Sequence, residues 1–129
     1  MKKTLLIKIN SLVIKLYDIY YKTIFFVEAK ILDIMYKQFP LINGLMFVRG
    51  SGKIMLGENV KLSSGRRSNP LGGETKLSFI VSKNAILTIG NNCGISNSVI
   101  FCTNSIVIEN NVLIGNGCKI YDTDFHHIN

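Results

Sequence analysis

The chain has 129 residues, enough for one modest domain and an extension. It is 47% apolar and 18% charged, which excludes global disorder. Fifteen basic against eight acidic side chains leave a formal charge of +7. That bias suits nucleic acid, anionic lipid or a phosphorylated ligand, but it is too dispersed to select one.

Residues from Thr4 to about Phe39 are apolar and aromatic, with charges at intervals. At a helical angle of about 100° per residue, Lys8, Lys15, Asp18, Lys22, Lys30, Asp33 and Lys37 share one side, and Glu28 is the exception. Leu12, Leu16, Ile19, Ile24, Phe26, Val27, Ile31 and Ile34 lie mostly away from it. The pattern predicts one or two amphipathic helices ended by Pro40, with a turn at Asn43-Gly44. Residues 1–43 are therefore expected to form a helical extension, and residues 44–129 the rest of the fold. No uninterrupted apolar stretch is long enough to span a bilayer. Met1-Lys2-Lys3 before Leu5-Leu6-Ile7 imitates a signal peptide, but Lys8 breaks the run and no small-residue cleavage site follows. Two readings of the helices stand. One is packing against the rest of the protein or a partner subunit. The other is peripheral contact with the cytoplasmic face of a membrane through residues 4–39, lysines near anionic headgroups.

A repeat follows. Ile54-Met55-Leu56-Gly57-Glu58-Asn59-Val60-Lys61-Leu62, Leu87-Thr88-Ile89-Gly90-Asn91-Asn92-Cys93-Gly94-Ile95 and Ile106-Val107-Ile108-Glu109-Asn110-Asn111-Val112-Leu113-Ile114 can be laid over one another. Marker residues fall six apart at Ile89, Ile95 and Phe101, and again at Ile108, Ile114 and Ile120. This spacing predicts a triangular β-solenoid of about four coils, with short parallel strands as faces and Asn or Gly at corners that need positive φ. The markers are expected to point inward, and Cys93, Val99, Val112 and Cys118 to fill small spaces beside the corners. One coil cannot bury its own apolar face, so stacking supplies the core. An antiparallel sandwich with Asn-Gly hairpins is the alternative. It does not require near-copies at this spacing.

Residues 63–76 break the repeat and read as a loop insertion. Arg66 and Arg67 are candidates for a phosphate or sugar acid, against the plainer reading of a solvated loop. The phosphate-loop spacing is absent, and the basic patch is short and lacks aromatic interleaving, so no nucleic-acid partner is expected. Cys93, Cys102 and Cys118 form no paired metal pattern and read as buried thiols in a reducing compartment.

The segment Lys119-Ile120-Tyr121-Asp122-Thr123-Asp124-Phe125-His126-His127 gathers two acids and two histidines at one edge of the coil. His126 is the candidate general base, able to take a proton from a hydroxyl attacking a carbonyl. Asp122 or Asp124 could fix its tautomer. An Asp/His cluster can in principle hold a divalent ion, but no metal is expected here. No nucleophile elbow is present, so direct transfer fits better than a covalent enzyme intermediate.

From about Gly52 to Asn129 the repeat resembles the hexapeptide-repeat acyltransferases. The run from Ile108 through Tyr121-Asp122-Thr123-Asp124-Phe125-His126 is similar to the branch of maltose, galactoside and nodulation O-acetyltransferases. The resemblance implies an all-β solenoid, a left-handed parallel β-helix, preceded here by the amphipathic helical segment. It implies acetyl transfer from acetyl-CoA to a saccharide hydroxyl, with His126 as general base and Asn97, Asp122 and Asp124 lining the acceptor site. His127 stands where many relatives carry Pro and takes no role. A cytoplasmic homotrimer with sites between subunits is implied as well. The family's later coils, which form much of the acetyl-CoA cleft, have no counterpart here. The chain therefore resembles an acceptor-side half truncated after the histidine, which would be an inactive fragment. A non-catalytic scaffold or a carbohydrate-binding oligomerisation module is the alternative.

Overall fold

The structure, a computed structural model, describes residues 1–126. His127, which the sequence leaves without a role, and the end of the expected 44–129 unit lie outside the described residues. A helix α1 (Lys2–Ile31) leads into twelve described strands. They are β1 (Ile34–Tyr36), β2 (Leu41–Asn43), β3 (Phe47–Arg49), β4 (Lys53–Leu56), β5 (Lys61–Ser63) and β6 (Ser78–Val81), then β7 (Ile86–Ile89), β8 (Gly94–Ser96), β9 (Val99–Cys102), β10 (Ser105–Ile108), β11 (Leu113–Ile114) and β12 (Lys119–Tyr121).

Every third strand joins the same sheet. The orders are β1-β4-β7-β10, β2-β5-β8-β11 and β3-β6-β9-β12, and all neighbours run parallel. Three stacked parallel sheets wound in this order are consistent with a parallel β-helix, and hairpin pairing is absent from the three sheets. The 30-residue α1 makes the whole chain a helix plus a coil rather than all-β.

The registers explain the repeat. Ile34, Ile54, Leu87 and Ile106 form one column, and Tyr36, Leu56, Ile89 and Ile108 the next. Ile42, Leu62, Ile95 and Ile114 stack in the second sheet, and Val48, Phe79, Ile100 and Ile120 in the third. The middle members of these columns are fully buried. Burying each is worth roughly 1.5–3 kcal/mol, so the columns dominate stability.

Asparagine turns the corners as expected. Asn59, Asn92 and Asn111 have φ of 53°, 56° and 63°. Their amides form a ladder, with Asn59 Nδ2 donating to Asn92 Oδ1 at 3.0 Å and Asn92 Nδ2 to Asn111 Oδ1 at 3.2 Å. Asn91 and Asn110 accept the backbone N–H groups of Glu58 and Asn91, each at 2.8 Å. A Cβ at Gly57 or Gly90 would collide with the asparagine of the next pass, which is why glycine precedes the polar pair.

Three expectations are corrected. Phe101 is not an inward marker: Ile100 and Cys102 point in, and Phe101 points out. The corner at Asn97, φ 42°, turns tightly enough that the step from Ile95 to the next core residue is five residues instead of six. Cys118 is exposed, and Val99 and Val112 are only half-buried, whereas Cys93 and Cys102 are buried. Finally, the helix stops at Ile31 rather than at Pro40. Leu32 N–H closes its last turn on Glu28 O at 2.8 Å, Asp33 takes φ 52°, and Ile34–Tyr36 already pairs with β4. Residues 34–43 thus belong to the coil, so the boundary drawn at 43/44 falls at about 33/34.

Only the last third of α1 packs tightly. Phe25 and Ala29 are buried against the first pass, and Phe25 meets the Phe39 ring edge-on at 5.7 Å. The apolar arc of Leu12, Leu16 and Ile19 faces away from the coil and stays exposed.

Candidate functional site at the terminal loop

The loop after β12 is built on Asp122. Its Oδ1 accepts from Thr103 N–H at 2.6 Å and from the Thr103 hydroxyl at 2.8 Å. Its Oδ2 accepts from Asn104 N–H at 2.7 Å and Ser105 N–H at 2.9 Å. The carboxylate thus fills a nest of successive N–H groups at the β9–β10 corner, one pass earlier. Desolvation pushes this carboxyl up, but the bonds from Thr103, Asn104 and Ser105 outweigh it and hold the pKa at about 2. Burial, and then the Asp122 charge, push the neighbouring Cys102 thiol up.

From that anchor the chain makes two small turns. Thr123 Oγ1 accepts from Phe125 N–H at 3.2 Å, and Asp124 Oδ1 accepts from His126 N–H at 3.1 Å. Phe125, φ 60°, lays its ring against Phe101 at 5.0 Å and Tyr121 at 5.4 Å. The outward Phe101 therefore serves as the seat of the loop. His126 follows with its side chain exposed. Neither Asp122 nor Asp124 bonds its imidazole; Asp124 holds only its backbone.

Asn97 is placed differently from the expectation. It is 0% exposed. Its Oδ1 accepts from Gly65 N–H at 2.7 Å, and its Nδ2 donates to Asn69 O at 3.1 Å and Asn116 Oδ1 at 3.3 Å. This side chain pins the 63–76 insertion to the coil and presents nothing to an acceptor. Asp122 is likewise committed to the chain itself. Of the four residues singled out, His126 and Asp124 share the exposed loop, Asp122 is its anchor, and Asn97 is interior.

The insertion forms a loop with a single 3-10 turn at Pro70–Gly72. Arg67 stacks over the Tyr17 ring at 4.0 Å, and Arg66 reaches Glu74 at 3.4 Å in an exposed pair. Beside the loop runs a groove of about 340 Å³ along the second sheet, floored by Gly94, Ser96 and Gly115 and edged by Ser68 and Asn69. A floor of small residues brings backbone within reach of a bound molecule. The repeat conceals this feature, and its only trace in the sequence is Gly or Ser beside the inward Ile95 and Ile114. A larger groove of about 480 Å³ lies under α1 between Ile14, Tyr21, Asn43 and Arg67. It belongs to the overhang of the helix, at the end of the coil opposite the terminal loop. Among the described residues, no group of three or more His, Cys, Asp or Glu could hold a metal ion.

No family model, curated protein or solved structure matches this chain.

Proposed function

We propose that the chain is an O-acetyltransferase of the left-handed, hexapeptide-repeat class. In this reading it moves acetyl from acetyl-CoA to a saccharide hydroxyl, working in the cytoplasm as a homotrimer. The observation that carries the reading is the Asp122 clamp. It sets the Asp124-Phe125-His126 turn at the rim of a parallel coil and leaves the imidazole exposed beside it.

In the reaction, the acceptor hydroxyl gives its proton to the His126 imidazole as its oxygen attacks the thioester carbonyl. The new C–O bond forms a tetrahedral oxyanion. Its collapse breaks the C–S bond, and the departing thiolate takes the proton back from the imidazolium. Asp124 holds the His126 backbone and so aims the ring. Phe125, wedged on Phe101 and Tyr121, fixes the turn.

A second reading is a carbohydrate-binding or oligomerisation scaffold. It is favoured by the commitment of Asn97 and Asp122 to internal bonds and by the lack of a carboxylate on the imidazole. One assay separates the two. The chain is incubated with acetyl-CoA and a saccharide panel, and free CoA thiol is followed. Acetyl transfer that falls on the order of 10²–10⁴-fold in His126→Ala supports the enzyme. Saccharide binding without CoA release, unchanged in that variant, supports the scaffold.

A further inference from the structure

No residue of α1 before Phe25 is buried, although Arg67 of the insertion stacks over Tyr17. The helix is roughly 45 Å long, and its coil-facing side is defined by the buried Phe25 and Ala29. On the opposite side Leu5, Ile9, Leu12, Leu16 and Ile19 recur at steps of four, three, four and three residues. All five are exposed, Leu12 and Leu16 at 59% and 58%. Lys2, Lys3, Lys8 and Lys15 are the only charges before Asp18, and Asp18 is already paired with Lys22 at 2.8 Å. The four-three spacing would also suit a coiled coil with a second copy. Lys8, Lys15 and Lys22, however, repeat every seventh residue along one flank of the stripe. An antiparallel pair would set these lysines against one another, and a parallel pair would set Lys8 and Lys15 against Val13 and Tyr20; the nearby acid, Asp18, is already taken by Lys22. An anionic surface removes that repulsion and accepts the apolar stripe at once. Among the described residues no helix is long and apolar enough to cross a membrane, so the stripe lies on a bilayer instead of through it.

We infer that α1 is an in-plane anchor for anionic lipid, with the Leu5–Ile19 stripe in the acyl boundary and Lys8 and Lys15 at the headgroups. Because α1 packs on β1 and β2, the coil then stands on the membrane by its first pass. The His126 loop, three strand spacings further along, is held roughly 15 Å above that pass. This placement is independent of the acetyl-transfer reading.

The test is co-sedimentation of the full chain with vesicles of phosphatidylcholine alone and of phosphatidylcholine mixed with phosphatidylglycerol. Binding to the mixed vesicles alone is expected, and it should be lost at high salt. Lys8→Gln/Lys15→Gln should weaken it on the order of 30-fold. Leu12→Ser/Leu16→Ser should abolish it while the circular dichroism stays unchanged. If the serine variant loses helix, the glutamine variant decides by itself, since both lysines are exposed and neither is ion-paired among the described residues. Equal binding to both vesicles, or to neither, overturns the proposal. So does a serine variant that sediments as a smaller species yet binds vesicles as before, because the stripe is then a contact between copies.

Discussion

Asp122 accepts a 2.6 Å bond from the Thr103 backbone N–H and a 2.8 Å bond from the same residue's hydroxyl. Nineteen residues separate the two in sequence. The contact makes the corner of one pass the footing of the loop on the next. Asp122, which the resemblance sets at the acceptor side, is part of the loop's foundation.

Asp122→Ala should lower stability by roughly 1–2 kcal/mol, after allowing for solvent exposure of the carboxylate. Asp122→Asn should lose less, because its remaining amide oxygen still serves Thr103. Chemical denaturation measures both. The pH dependence has a definite sign. The folded pKa, about 2, lies below the ordinary 3.8, so the stabilisation is complete above pH ~4 and fades as pH falls toward 2. The gap between the natural protein and Asp122→Asn should close across that window. A gap that widens there would remove the hydrogen-bond account.

Asn97→Ala should cost more, on the order of 2–4 kcal/mol, because it leaves the Gly65 N–H and the Asn69 carbonyl without their partner. Limited proteolysis should then cut residues 64–77 sooner than any other part of the coil. Unaltered cleavage there would show that the loop is held by other contacts.

Leu87→Ala and Phe101→Ala distinguish the observed register from a strict six-residue step. Leu87 is wholly buried and should cost roughly 2–5 kcal/mol. Phe101 faces outward, so its loss should loosen the Phe125 loop while costing well under half as much. Equal losses would restore Phe101 to the interior.

Cys118 should react with a thiol reagent in the native protein. Cys93 and Cys102 should react only on unfolding, since both are buried and the Cys102 thiol is pushed up by burial and by Asp122. Three equally fast thiols would contradict the packing.

Spacing and residue type were enough to read the repeat, the parallel stacking and the asparagine corners. These are local properties: positive φ is tolerated by Asn and Gly wherever they stand, and an apolar residue every sixth position has few ways to be buried. The Phe101 register, the end of α1 and the tasks of Asp122 and Asn97 needed the folded molecule. A five-residue corner turns the side chains of Val99–Cys102 to the opposite faces from those a six-residue step gives, and nothing within Ile95–Phe101 announces it. Helical periodicity cannot see that Ile34–Tyr36 has β4 beside it. A carboxylate or an amide carries the same chemistry toward a substrate as toward a neighbouring pass, and only the partner within bonding distance decides which use it has.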